Sequence, residues 1–575
     1  MRCGVRPALS RSAFPTRCVA YLALLIAGCG GDDAGSPRPS DSASTDVEAN
    51  AVATAWFADE ASARGIEFTH DGGARGAFRL PESLGAGCAL FDSDGDGDLD
   101  IYLVRGHDLD GTPDATTGGN RFFRNDGAGH FTDDTTASGL GHLGYSCGVA
   151  AGDIDGDGDV DLYLANLGRD RLFVNDGSGR FTAADDAAFG NDAGYSVAPC
   201  FLDVDRDGDL DLFIARYMDW SPEIEVECSN LLGGRDYCNP EVYGRGIADR
   251  LLINDGRGHF TDATESSGIG AVTGTGLAAA AADLDGDGWP DIMVANDKTP
   301  DRLWINQRDG TFREEGTIRG CATGLDGSPR AGMSVSFADL DRDGDLEIHV
   351  SNIHGEADGL FENRDGRFLD RANAWGIAST SRTRTRWSGR FLDLDVDGDL
   401  DLLVACGRVL QLANAARADR PYAEPDFIYV FGESGRFSAI QSPWPSDLLP
   451  EATHGVAVGD VNGDGFDDLL TVSRDGPARL LIRTPATDTP SPVRFDLRTQ
   501  SGAPAIGARL SITTAAGTQD FAIDTAGGYA SAGTHVVAVA GPVTSIRVRW
   551  SDGTERTLDG PFAPGEVVRV VPADS

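Results

Sequence analysis

Asp92-Ser93-Asp94-Gly95-Asp96-Gly97-Asp98-Leu99-Asp100 is the first of seven copies of one nine-residue pattern. The others are Asp153–Asp161 (DIDGDGDVD), Asp203–Asp211 (DVDRDGDLD), Asp283–Asp291 (DLDGDGWPD), Asp339–Glu347 (DLDRDGDLE), Asp393–Asp401 (DLDVDGDLD) and Asp460–Asp468 (DVNGDGFDD). Position 1 is Asp92, Asp153, Asp203, Asp283, Asp339, Asp393 and Asp460. Position 3 is Asp94, Asp155, Asp205, Asp285, Asp341, Asp395 and Asn462. Position 5 is Asp96, Asp157, Asp207, Asp287, Asp343, Asp397 and Asp464. Position 6 is always Gly, and position 9 is Asp100, Asp161, Asp211, Asp291, Glu347, Asp401 and Asp468. Position 7 varies freely: Asp98, Asp159, Asp209, Trp289, Asp345, Asp399 and Phe466.

Oxygens at positions 1, 3 and 5 of a tight loop converge on one point. The Gly permits the sharp turn, position 7 offers its backbone carbonyl, and position 9 closes the shell. Six or seven hard oxygens in a flexible loop suit Ca²⁺ better than Mg²⁺ or a transition metal, so up to seven Ca²⁺ sites are expected. Without a cation the packed carboxylates would repel one another. An EF-hand is excluded: it needs Glu at position 12 and flanking helices. Here position 12 is Leu103, Leu164, Ile214, Val294, Val350, Val404 or Thr471, each within an apolar run that reads as a strand.

The 575 residues carry 48 Lys+Arg against 91 Asp+Glu, a net charge of −43. That excludes an ordinary basic nucleic-acid binder and a polybasic membrane patch. The seven loops hold 33 of the acidic residues; the 58 that remain nearly balance the 48 basic ones, so the excess belongs to the loops. Gly is 75 of 575 and apolar residues are 41%, as expected of short strands joined by tight turns.

The flanks repeat with the loops. Runs such as Cys88–Phe91, Cys200–Leu202 and Val456–Val458 precede them. Two further strands with a hairpin follow, as in Asp170–Phe181, Arg121–Phe131, Arg250–Phe260, Arg302–Phe312 and Leu360–Phe368. Asn-Asp-Gly between apolar runs is a strong turn signal. Three or four strands per unit, seven times, predict an all-β, seven-bladed propeller over residues 53–484. Gly65–Thr69 is the expected strand that completes the last blade.

The pattern resembles the FG-GAP/VCBS-type propellers of integrin α-subunit heads and, more closely, the cartilage acidic protein family with its bacterial relatives. Leu80–Gly87, Cys228…Tyr237-Cys238-Asn239-Pro240 and Ala331–Val335 carry that likeness. Glu347 at position 9 and Asn462 at position 3 depart from the pattern and can still ligate. After a linker at 485–492, residues 493–575 alternate as strands. Ile506–Arg509, Gly527–Ser531 and Ile546–Gly553 resemble the ASPIC/UnbV domain that ends this family, which implies a small β-sandwich. Trp550 and Tyr529 read as its core.

Residues 1–28 read as a bacterial lipoprotein signal, with Arg2, Arg6, Arg11 and Arg17 before a short apolar run that ends in Ile26-Ala27-Gly28-Cys29. Cys29 is the expected lipidation site and 29–52 a flexible tether. The chain is therefore expected on the bacterial envelope, held by lipid alone. Cys228 and Cys238, ten apart in one insertion, are the expected disulfide; Cys88, Cys147 and Cys200 read as small buried hydrophobes.

No catalytic set emerges. Gly144-Tyr145-Ser146-Cys147-Gly148 matches GxSxG, but a strand and an acidic loop follow it rather than a helix. Ser196 holds the same place in the next repeat. The best reading is a calcium-binding adhesion or binding module for a protein or glycan partner. Its expected contact surface is the 212–250 insertion, with Tyr217, Trp220, Tyr237 and Tyr243. The alternatives are a polysaccharide-active enzyme and a structural scaffold of an envelope complex.

Overall fold

The structure is a computed structural model and describes residues 55–111, 119–184, 194–230, 232–411, 419–440, 443–525 and 528–573. The leader, Cys29 and the tether lie outside the described residues.

Every repeat folds the same way. The apolar run before the loop is an inner strand, buried on both faces, and a second strand begins at position 9 of the loop. Blade one comprises Cys88–Phe91, Asp100–Leu103, Arg121–Asn125 and Phe131–Asp133, hydrogen-bonded in that order. The inner strands of blades two to seven are Tyr145–Gly152, Ser196–Leu202, Gly276–Ala282, Ser334–Ala338, Arg386–Leu392 and Thr453–Gly459. All seven sheets are four-stranded and antiparallel. The inner strands touch in cyclic order, the seventh returning to the first, so the fold is a seven-bladed propeller. Side chains of facing blades fill the gaps: Ala150 and Tyr163 of blade two pack with Phe201, Leu212 and Ile214 of blade three. Each such large apolar side chain contributes about 1.5–3 kcal/mol on burial.

The ring closes through Phe57–Asp59, which pairs antiparallel with Ala478–Arg483 (Phe57 opposite Arg483, Asp59 opposite Leu481) and supplies the fourth strand of blade seven. Gly65–Thr69 does not take that place. Its Ile66 and Phe68 are buried in the core shared by blades one and seven, and it meets blade seven only as an isolated antiparallel bridge, Thr69 opposite Pro477, with the Phe68 carbonyl accepting Ala478 N–H at 3.1 Å.

Each inner strand runs into its acidic loop, so all seven loops lie at one end of the ring. Connections between second and third strands lie at the other end. There the blade-three insertion meets residues 407–426 of blade six: Asp236 accepts from Gln411 N–H at 2.7 Å and from Tyr422 Oη at 3.1 Å. The buried Arg474 guanidinium sits 5.1 Å from the Tyr237 ring and 4.1 Å from the Tyr422 ring. Cys228 and Cys238 form a disulfide with Cα atoms 5.3 Å apart, while Cys88, Cys147, Cys200, Cys321 and Cys406 are free and buried. The insertion's aromatics do not form an outer contact surface. Tyr217, Trp220 and Tyr237 are buried and Tyr243 is half-buried. Their polar ends are satisfied inside: Tyr217 Oη donates to Asp297 at 2.7 Å and Trp220 Nε1 to Glu225 at 2.9 Å.

The C-terminal domain is a sandwich. Val493–Leu497, flanked by Val536–Val539 and Val567–Val570, packs on a sheet of Gly517–Ala522, Arg509–Thr514, Val543–Arg549 and Glu555–Phe562. Val493, Phe495, Leu510, Ile512, Val548 and Trp550 form its core. Tyr529 leaves that core and plugs the propeller axis. Its ring lies 4.9 Å from Trp387 and its hydroxyl 3.7 Å from Cys147 Sγ. Backbone bonds fix the plug: Ala532 N–H to Cys88 carbonyl at 2.9 Å, Val149 N–H to Ala530 carbonyl at 3.2 Å, and Tyr529 N–H to Ser388 Oγ at 2.8 Å. Position 87 must be Gly, because a Cβ there would stand 2.2 Å from the Ala530 carbonyl oxygen.

Candidate functional site: the seven acidic loops

The Gly at position 6 is left-handed in every loop, with φ from 90° at Gly288 to 98° at Gly158. Position 4 is left-handed too; Gly95, Gly156, Gly286 and Gly463 suit it, while Arg206, Arg342 and Val396 adopt φ of 62–63°. This curl brings backbone N–H groups onto the carboxylates. Position 1 accepts from the position-6 N–H, as in Gly97 to Asp92 at 3.1 Å and Gly158 to Asp153 at 3.0 Å. Position 5 accepts from the position-7 N–H at 2.9–3.0 Å in all seven loops.

Position 9 is the brace. One oxygen accepts the N–H of position 2, and the other accepts an N–H from the third strand. Asp161, for example, takes Ile154 N–H at 3.0 Å and Asn175 N–H at 2.8 Å. All seven position-9 carboxylates are at most 2% exposed. Burial pushes them up, from about 7 at Asp100 through about 8 at Asp161, Asp211, Asp401 and Asp468 to about 9 at Glu347. The loops thus hold carboxyl groups in a setting that penalises their charge.

One oxygen each from positions 1, 3 and 9 lies within 4.8 Å of the others in loops two to five; in loop one the trio is Asp92, Asp94 and Asp96. Six carboxylate oxygens of the loops are buried and have no hydrogen-bond partner: Oδ1 of Asp203, Asp283 and Asp339 at position 1, and of Asp155, Asp285 and Asp395 at position 3. A buried acceptor left empty costs about 1–3 kcal/mol. Convergent, unpartnered and anionic, these oxygens can hold a metal ion. At position 7, the Trp289 ring lies 5.4 Å from the Arg206 guanidinium and Phe466 is buried, so neither side chain can ligate. Asn462 directs its Nδ2 to Asp464 at 3.1 Å.

Guanidinium groups take some of the remaining carboxylate oxygens. At loop four, Arg319 binds Asp285 Oδ2 at 3.0 Å, Arg308 binds Asp287 Oδ2 at 2.6 Å and Arg549 binds Asp283 Oδ2 at 2.7 Å. In each of Asp283 and Asp285, Oδ2 is occupied and Oδ1 is left open.

A further set of residues escaped the sequence reading. Asn125, Asn175, Asn254 and Asn306 end the third strands and Asn363 is the last residue but one of its own, and each amide donates to its own loop at position 8 and to the preceding loop at position 2. Asn175 Nδ2 binds the Val160 carbonyl at 3.0 Å and the Ser93 carbonyl at 2.8 Å; Asn306 binds those of Pro290 at 3.3 Å and Val204 at 2.9 Å. Arg483 serves blade seven, donating to the Leu394 carbonyl at 2.7 Å. The signal was present: Asn recurs at this place even in Asn306 and Asn363, where no Asp-Gly turn follows directly. The GxSxG serine is structural. Buried Ser146 accepts from Asn120 at 3.0 Å and donates to Asn166 at 2.7 Å.

The chain matches the FG-GAP-like repeat over residues 92–164, 153–214, 242–294 and 283–350, and the ASPIC and UnbV domain over 498–572. It therefore carries FG-GAP-like repeats followed by an ASPIC and UnbV domain. It is similar to cartilage acidic protein 1: 34% identical to the Xenopus tropicalis protein over 167 residues (27% of this chain, 25% of that one) and 30% identical to the human protein over 165 residues (27% and 24%). The match spans about a quarter of the length of these relatives. Similar solved structures include the exotype rhamnogalacturonan lyase YesX (TM-score 0.38, 15% identity, 70% of this chain and 72% of that one). An Agrocybe aegerita lectin recognising non-reducing terminal N-acetylglucosamine is another (TM-score 0.32, 18% identity, 68% and 85%). Likeness at that level carries no functional weight.

Proposed function

We propose that the chain is a calcium-loaded binding module of the bacterial envelope, anchored through Cys29, whose loops stabilise a rigid ring for a protein or glycan partner. The carrying observation is the set of buried, unpartnered Oδ1 atoms at positions 1 and 3 in loops whose carboxylates converge. All-oxygen donors in a flexible loop favour Ca²⁺, and extracellular modules bind it at about 10⁻⁴–10⁻³ M. The loop end is covered by the C-terminal domain, so partner contact falls to the opposite end. There the blade-three insertion exposes Val226, Leu232 and Val242.

Thermal unfolding across Ca²⁺ and Mg²⁺ titrations, with elemental analysis of the dialysed protein, tests the metal reading. A saturable, Ca²⁺-selective rise in midpoint with several bound ions is expected. No bound calcium and no shift would end it. Leu232→Asp with Val242→Asp is expected to reduce capture of the envelope partner and leave that titration intact.

A further inference from the structure

The position-1 carboxylates face two ways. In Asp283 and Asp339, Oδ1 is the open oxygen of the loop cluster, and Oδ2 is held by the C-terminal domain: by Arg549 at 2.7 Å in the first and by Asp520 N–H at 2.9 Å in the second. Asp153 Oδ2 accepts Ser501 Oγ at 3.1 Å, and Asp393 Oδ2 accepts Ala540 N–H at 3.3 Å. Four loops thus hold the domain through the same oxygen of the same residue. Loop three adds Arg206, whose Nε donates to the Ser551 carbonyl at 2.8 Å.

We propose that metal loading of the loops and docking of the C-terminal domain, with its Tyr529 plug, are one coupled equilibrium. This rests on the calcium reading above and adds the regulation of those sites. An ion at Oδ1 fixes the carboxylate rotamer, and that rotamer aims Oδ2 at the domain. Without the ion, neighbouring carboxylates repel and turn away. The Asp520 and Ala540 N–H groups then lose their acceptors, and the domain loosens together with the axial segment it carries. Residues 485–492 join the domain to the ring and include Pro485, Pro490 and Pro492. Three guanidinium groups of the domain pull the other way, because their charge eases the loops when no ion is present: Arg549 and, at 4.0 Å, Arg509 at Asp283 of loop four, and Arg494 on Asp467 of loop seven at 2.9 Å; the neutral donors at loops two, five and six carry the coupling.

Hydrogen exchange of the full-length protein, with Ca²⁺ and after EGTA, reads the coupling at the amides of Asp520, Tyr529, Ala532 and Ala540. Chelation is expected to speed their exchange at least tenfold while the blade amides of Leu162–Ala165 stay protected. Reciprocity requires that weakening the dock weakens the metal. Tyr529→Ala, far from every loop, is expected to raise the Ca²⁺ midpoint threefold or more. Calcium that binds and leaves without moving these amides, or a Tyr529→Ala titration that matches wild type, overturns the coupling and leaves the calcium reading standing. A protein that takes up no calcium overturns both.

Discussion

At the loop end of the ring one device occurs seven times: a left-handed Gly, a braced position-9 carboxylate, and in five blades an Asn that ties the loop to its neighbour. At the other end an Asp before the third strand accepts an N–H from the end of the second in five blades, as Asp170 does from Asn166 and Asp358 from Asn352 at 2.8 Å, but what covers that end does not repeat. Two unequal insertions meet over the axis; one disulfide closes the blade-three insertion on itself, and a guanidinium sits against a tyrosine ring from each. The first end is a sum of like terms, so its stability is divisible and, under the calcium proposal, tied to a diffusible ion. The second is a single irregular cluster that depends on none.

Four perturbations sharpen that contrast, in falling order of effect on the ring. Withdrawing calcium acts on all loops at once. At a hundredfold excess over Kd each filled site contributes about 2.7 kcal/mol, so calorimetry is expected to show the largest midpoint loss with chelator. Asp161→Ala removes one brace and leaves two buried N–H groups unpaired, an expected cost of about 3 kcal/mol by urea unfolding in calcium, with Asp161→Asn milder because an amide oxygen still accepts. Asn306→Ala unties two neighbouring loops and strands two carbonyls, for about 1–2 kcal/mol in the same assay. Cys228→Ser with Cys238→Ser is expected to leave the calcium titration unchanged and to speed proteolysis within 226–242; a shifted titration would show that the two ends are not independent.

The repeated end was legible because repetition multiplies a weak local signal. One DxDxDG is ambiguous, and seven in register fix strand, loop and strand alike. The braces at position 9 were visible as carboxylates, but their hydrogen-bonding duty was not, since Asn175 and Ile154 reach Asp161 only in the folded blade. The unrepeated parts gave way for a different reason. Gly65–Thr69 looks like a strand in the sequence, and only the folded edge of Ala478–Arg483 shows that Phe57–Asp59 takes the closing place. Tyr217 and Trp220 look like a contact surface because a sequence does not show that Asp297 and Glu225 wait for their polar ends. Tyr529 was read correctly as core but of the wrong body: its apolar partners belong to the propeller.

The closure of the ring has a mechanical side. The closing strand enters beside the exit to the C-terminal domain: Thr484 N–H donates to the Trp56 carbonyl at 2.8 Å and Thr484 Oγ1 to the Ala55 carbonyl at 3.0 Å. Any tension on the chain before residue 55 is therefore delivered to the seam where the ring joins itself, at the root of the linker. A pull there loads the outer strand of blade seven before it reaches the other six.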